Sequence, residues 1–123
     1  MNKRIPPILS TLRRLQKQQA RLLKRVLVTD PLLCGSLSLV MRTCGKPNCH
    51  CATTPSHEAW VLATSRQGRS RCQVVRQNDV DEVQQRVAIY KDYRQTLRAL
   101  EAVATEQKRL LRGLMEERNL HYE

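Results

Sequence analysis

The 123-residue sequence contains no phenylalanine, and tryptophan and tyrosine together make up only 3% of it. Its core must therefore be built mainly from Leu, Val and Ala, which favours helices packed along a seam over a large globular core. No apolar run approaches the roughly 18 residues that a membrane-spanning helix requires. Near the N-terminus, Arg13 and Arg14 interrupt the apolar stretch that a signal peptide would need. The sequence thus predicts a single-domain, cytoplasmic protein without a membrane partner.

Acidic residues are almost missing from the first 77 positions, where only Asp30 and Glu58 occur. Lys and Arg occur there fourteen times, so the formal charge of this stretch is 14 − 2 = +12, whereas residues 78–123 carry eight basic and nine acidic side chains, or 8 − 9 = −1. The whole net charge of +11 therefore lies in the first two thirds of the chain. Such an asymmetry predicts a polyanionic partner, with nucleic acid preferred to an anionic membrane surface.

The first predicted element is a basic helix that begins after the Pro6-Pro7 pair and runs to about Thr29. The Asp30-Pro31 pair ends it, because the residue before proline is driven out of helical geometry. Spacings of three and four residues define one seam, made of Leu12, Leu15, Gln19, Leu22 and Val26.

The last predicted element is a helix of about forty residues, capped by Asn78 or Asp79 and reaching Gly113 or beyond. Its seam breaks near Arg94 and then resumes. A core of this size could not bury the whole helix, so its far end is expected to pair with the first helix or with another copy of the chain.

Alternating apolar and polar residues between the helices predict three strands, at 35–44, 58–65 and 69–75, with a hairpin turn at Gln67-Gly68. The third strand should place Arg69 and Arg71 on one face and Cys72 on the other. The expected fold class is α+β: an N-terminal helix, a small three-stranded antiparallel sheet with a zinc-binding turn, and a long C-terminal helix that forms an antiparallel helical hairpin or coiled coil. Its regions are 1–30, 35–77 and 78–120.

Three cysteines lie close together in the segment CGKPNCHC, at positions 44, 49 and 51. Zinc binds thiolates and imidazoles tetrahedrally, and a structural site needs four of them. We therefore expect Cys44, Cys49 and Cys51 to bind Zn²⁺. A redox pair and unliganded thiols are the alternatives, but Cys-x4-Cys is not the usual oxidoreductase spacing.

The fourth zinc ligand is open on sequence grounds. His57 is the first choice, because a strand that starts beside the turn would return it to the cluster, and His50 is the second. Cys72 could reach only if the end of its strand lay against the turn. Cys34 is expected to be a small buried residue. The zinc turn is further expected to stabilise the hairpin that carries Arg69 and Arg71.

The central pattern resembles a small bacterial and archaeal family of unknown function, whose genes commonly lie beside transposase genes. The residues that carry this resemblance are Gly35, Ser36, Leu37, Arg42, Cys44, Gly45, Lys46, Cys49, Cys51, His57, Gly68, Arg69, Ser70, Arg71, Tyr90 and Tyr93. The chain departs from the family at Glu58-Ala59-Trp60, where members tend to have Gly-Pro-Tyr-Tyr. The resemblance implies a mobile-element setting and no particular reaction.

Catalytic groups are not apparent in the sequence. Asp79, Asp81 and Glu82 are typical of a helix start rather than a metal triad, and Tyr90 and Tyr93 are typical of packing residues. We therefore expect a non-enzymatic nucleic-acid-binding accessory protein that works with a transposase or recombinase, on DNA rather than RNA. A coiled-coil adaptor that recruits an enzyme and an RNA-binding ribonucleoprotein component are the alternatives.

The nucleic-acid contacts are expected from the basic side chains of the first helix, of the predicted zinc turn with the strand before it, and of the hairpin. They are Arg13, Arg14, Lys17, Arg21, Lys24, Arg25, Arg42, Lys46, Arg66, Arg69 and Arg71.

Overall fold

The computed structural model describes residues 2–43, 45–50, 54 and 57–122. It is an α+β fold, as the sequence predicts. The elements are helix α1 (Ile5–Val26), strands β1 (Gly35–Arg42), β2 (His57–Arg66) and β3 (Arg69–Val74), a short 3-10 turn (Gln77–Asp79) and helix α2 (Val80–Arg118). The chain divides into two compact units, Asp30–Asp92 and Met1–Thr29 with Tyr93–Glu123. The division falls within α2, beside the break that the apolar spacing shows near Arg94.

Helix α1 begins with prolines in its first turn, where a missing amide hydrogen costs no hydrogen bond. It ends at Val26, three residues before the predicted end at Thr29. The amide of Leu27 still bonds to the carbonyl of Leu23 at 3.0 Å, but the side chain of Leu27 is 77% exposed. Since little packs against Leu27, nothing supports another helical turn.

The sheet of the second unit is antiparallel in the order β1-β2-β3. Gly35 pairs with Thr64 and Arg42 with His57, so β1 and β2 pair over the full length of β1. Between β2 and β3, Gln67 and Gly68 have φ angles of 53° and 77°. Two successive positive φ angles are the geometry of the tight turn whose twist matches a right-twisted hairpin. The strands and the turn predicted from sequence are therefore present, within two residues at each end.

One face of the sheet is covered by the first turns of α2. Leu37, Trp60 and Val87 line one common depression, and Val87 is only 3% exposed. Register places Leu62, which is also buried, on the same face as Leu37. The core of this unit thus lies between that face and α2.

The segment before β1 is fastened to α2 by two hydrogen bonds. The amide of Leu33 donates to the carbonyl of Arg86 at 3.1 Å, and the Arg86 guanidinium donates to the carbonyl of Pro31 at 3.2 Å. The connection therefore leads into the sheet along a fixed path, although it has no regular structure.

The other unit is built from α1 and the C-terminal part of α2. Leu15, Val103 and Leu110 form its buried core, against which Ile8, Leu12 and Leu22 pack. The Asn2 amide donates to the Glu117 carboxylate at 2.7 Å, and the Gln107 amide donates to Gln19 at 3.3 Å. Residues near the start of the chain therefore contact the end of α2, and residues later in α1 contact an earlier part of α2.

Candidate metal centre and nucleic-acid surface

The segment between β1 and β2 contains a tight turn. The amide of Cys49 donates to the carbonyl of Lys46 at 3.2 Å, with Pro47 and Asn48 at the central positions that these residues favour. Gly45, which precedes the turn, has a φ of 79°, and glycine adopts such an angle without steric cost. The local sequence thus folds back on itself immediately before Cys49.

Cys49 and His57 meet at the start of β2. The Cys49 sulfur Sγ lies 3.3 Å from Nε2 of His57. Two ligand atoms of one tetrahedral zinc ion, S at about 2.3 Å and N at about 2.0 Å, are about 3.5 Å apart. The pairing of His57 with Arg42 fixes the strand ends beside the turn and brings the histidine to the cysteine. A thiolate and an imidazole at this separation fit zinc.

The structure describes only some of the other predicted zinc ligands. Cys44 and Cys51 lie outside the described residues, and within the part of the chain that the structure describes, no three His, Cys, Asp or Glu side chains form a metal-binding group. His50 is exposed, and its ring centroid is 6.3 Å from that of His57. His50 is therefore beside the Cys49–His57 pair, and both sequence alternatives for the histidine ligand remain near the turn.

Two further cysteines are far from this pair. Cys72 pairs across the sheet with Ala63, six residues along β2 from His57, which is about 20 Å at strand spacing. It is thus too distant to be a ligand. Cys34 precedes β1 at the same remote end of the sheet. It is exposed, so the expectation that it is buried is wrong. Leu32 and Leu33 of that connection, which are half-buried, contact α2 instead.

The six predicted basic residues of α1 share one side of the helix. At about 100° per residue, they fall within an arc of about 120°, centred opposite Ile8 and Gln19, and all six are exposed. This basic arc is made of Arg13, Arg14, Lys17, Arg21, Lys24 and Arg25. With a rise of about 1.5 Å per residue it is about 18 Å long. Such a strip of charge can track a phosphate backbone.

Three predicted arginines cluster at the β2–β3 turn. Arg66 pairs with Arg69, and Arg71 pairs with Thr64, so register places all three side chains on the face that holds Leu62. Each is exposed. We call Arg66, Arg69 and Arg71 the arginine tip. Arg76, which follows β3, is exposed as well, and only its charge could have indicated it from sequence.

Arg42 and Lys46 do not join the arginine tip. Arg42 pairs with His57, nine residues along β2 from Arg66, or about 30 Å. Its side chain is also on the opposite face of the sheet. The turn at residues 45–49, which we call the metal turn, therefore lies at the opposite end of the sheet from the arginine tip that it was expected to hold in shape.

No described helix is long and apolar enough to cross a membrane. Comparison with known proteins adds one finding: neither a curated protein nor a solved structure matches the chain, but a family described as "Domain of unknown function (DUF6788)" matches residues 7–85. That match covers more than half of the chain and includes the basic arc, the metal turn and the arginine tip. The chain therefore belongs to the DUF6788 family.

Proposed function

We propose that the protein is a non-enzymatic nucleic-acid-binding accessory protein, with DNA as its preferred ligand. The basic arc of α1 is the observation that carries this proposal. Six exposed cations lie on the side of one helix opposite its packed seam, so they can approach a polyanion together without disturbing the core. Binding through phosphate releases condensed counterions, which makes it strong at low salt and weak at high salt.

The arginine tip supplies a second contact surface. Two-stranded ribbons fit the major groove of duplex DNA, and Arg69 and Arg71 alternate with Ser70 and Cys72 along β3, so both arginines point to one face. Guanidinium groups bind phosphate or guanine through two parallel hydrogen bonds. Arg42 and Lys46 would contact a separate stretch of ligand, since they lie at the far end of β2.

The metal turn has a structural role in this proposal. Cys49 and His57 would hold Zn²⁺ together with Cys44 and Cys51, and the ion would close the β1–β2 connection. Four protein ligands leave no open position for water or substrate, which is typical of a structural rather than a catalytic zinc site. A unit of about 60 residues buries only a small core, so a metal ion at one end of the sheet would add to its stability.

The wider setting follows from the family resemblance. We propose that the protein acts beside a transposase or recombinase in a mobile element, and that α1 and the C-terminal part of α2 form an antiparallel helical hairpin. The opposite order of the Asn2–Glu117 and Gln19–Gln107 contacts supports that hairpin. A rigid two-helix unit would display the basic arc at a fixed angle to its own core.

Fluorescence-anisotropy titrations against duplex DNA, duplex RNA and single-stranded RNA test the nucleic-acid proposal. Binding to DNA should weaken steeply between low and physiological salt. Replacing Arg14, Lys17 and Arg21 with Gln should make the slope of log K against log salt shallower by about 3 × 0.9, or roughly 2.7, because three phosphate contacts are lost. The matched control replaces Arg98, Arg109 and Arg112, which are exposed on α2 and carry the same charge, and should change the slope little.

Two outcomes would redirect the proposal. Tighter binding to RNA would make the protein a ribonucleoprotein component. A salt-stable complex with a recombinase, combined with no affinity for DNA or RNA, would make it an adaptor and would refute nucleic-acid binding.

A further inference from the structure

Helix α2 carries a second apolar stripe beside the seam that packs on α1. Leu97, Ala104 and Leu111 recur every seven residues, and Leu100, Gln107 and Leu114 follow each of them by three. This pattern is that of a coiled-coil seam. Leu97 is 43% exposed and Leu111 is 52% exposed, while the residues of the adjacent seam, Val103 and Leu110, are buried against α1. We call these six residues the outer stripe.

The outer stripe lies within one compact unit and ends in a surface depression. Leu111 and Leu114 line a depression with Met115 and Arg118, and Met115 is largely exposed. Exposed apolar residues at regular helical spacing mark a surface that another helix can cover. Leu97 and Leu111 are exposed, while Leu100, Ala104 and Leu114 are half-buried, so part of this side of α2 remains accessible to a second helix.

The outer stripe is complementary to itself when two copies run antiparallel. In antiparallel coiled coils, the first and fourth positions of the heptad face each other across the seam. Leu97 then meets Leu114 of the second copy, and Leu100 meets its Leu111. At the centre the small Ala104 faces the longer Gln107, which is half-buried and whose amide also donates to Gln19 of α1, so this layer borders the seam with α1. Each layer occurs twice about a two-fold axis, as an isologous interface requires.

Charge beside the stripe fits the same arrangement. Glu101 and Lys108 follow Leu100 and Gln107 directly, on the flank of the stripe, and both are exposed. In the antiparallel register Glu101 approaches Lys108 of the second copy, and Lys108 approaches its Glu101. A parallel pair would instead place Glu101 beside Thr96 of the second copy and Lys108 beside its Val103, so neither charge would meet an opposite one. The flanking charges therefore select a second antiparallel copy of this chain as the occupant.

We propose that the protein forms an antiparallel homodimer through the outer stripe of α2, so that the α1–α2 units of two copies make a four-helix bundle. The dimer would carry two basic arcs related by a two-fold axis. Such a pair suits a nucleic-acid site with two symmetric halves, and simultaneous contact with both halves raises the apparent affinity. The self-association itself depends on neither zinc nor nucleic acid.

Charge reversal tests this register. Sedimentation equilibrium of nuclease-treated protein should show a monomer–dimer equilibrium. Glu101→Lys alone and Lys108→Glu alone should each raise the dimer dissociation constant by about tenfold, because two attractive pairs become two repulsive ones. An equimolar mixture of the two variants should form heterodimers of wild-type affinity, and the double variant should form homodimers of wild-type affinity.

A variant of the apolar layers supplies an independent test. Leu97→Ser with Leu111→Ser should abolish the dimer while leaving the circular dichroism of the helices unchanged, because both side chains lie outside the buried core. A chain that is monomeric at about 100 μM, or one whose dimer is unaffected by both sets of changes, overturns the proposal. Since these readouts need no ligand, their failure would leave the nucleic-acid proposal untouched, and the reverse also holds.

Discussion

If the metal turn binds zinc as proposed, removal of the ion should lower the thermal stability of the sheet unit (residues 30–92). The size of the loss follows from the length of the loop that the ion closes. If one ion joins Cys49 to His57, it closes a loop of nine residues, from 49 to 57. The loop-closure entropy of such a link is worth about 2.5 kcal/mol. For a unit of about 60 residues, each kcal/mol shifts the unfolding midpoint by about 4–8 °C. Chelation should therefore lower that midpoint by about 10–20 °C.

Metal analysis combined with thermal unfolding by circular dichroism measures this effect. Protein prepared without chelators should contain about one zinc ion per chain, and Cys49→Ser should contain little zinc and unfold near the midpoint of the chelated wild type. Cys72→Ser is the matched control, because that thiol is about 20 Å from His57 along the sheet, and it should behave as the wild type. Wild-type protein without zinc, or Cys49→Ser with full zinc content, would refute the reasoning.

Two further predictions concern packing and pH. Val87→Ala removes two buried carbon atoms beside Leu37 and Trp60 and should lower the free energy of unfolding by about 2 kcal/mol in urea titrations. Val74→Ala, at a side chain that is 56% exposed, should lower it by less than about 0.5 kcal/mol. Equal losses would contradict the assigned core. The Asn2 amide and, after it, Arg4 donate to the Glu117 carboxylate and hold its pKa below the ordinary value. The contribution of the charged Glu117 carboxylate to stability is thus present above its unfolded-state pKa and is lost as pH falls through its folded-state pKa. Glu117→Gln should therefore flatten the fall in the unfolding midpoint between about pH 6 and pH 3. Glu116→Gln, at an exposed control position, should leave that fall unchanged.

Much of the fold was predictable because its signals are local. The alternation from Gly35 to Met41 and the Gln67-Gly68 pair specify strands and a tight turn from neighbouring residues alone. The end of α1 was less predictable: Asp30-Pro31 marks where a helix must stop, but packing decides that it stops at Val26. Cys34 was misassigned for the same reason, since size and polarity do not reveal that the adjacent leucines make the contacts.

Placement across the sheet was beyond the reach of the sequence pattern. Spacing indicated His57 as a partner of the cysteine turn, and the structure brings it to Cys49. The pattern could not show that the turn and the arginine tip occupy opposite ends of β2, because that depends on the pairing register of three strands. The basic arc, in contrast, could have been found from a step of about 100° per residue.

Strand β3 forms an edge of the sheet, and all six of its residues are exposed. Unpaired amide and carbonyl groups on such an edge can pair with a strand of another chain, and charged side chains are a common protection against that association. Arg69 and Arg71 therefore act as gatekeepers against aggregation as well as candidate ligand contacts. Chains that lack these two arginines should be more prone to associate edge to edge. The solubility of any arginine-tip variant should therefore be measured together with its binding.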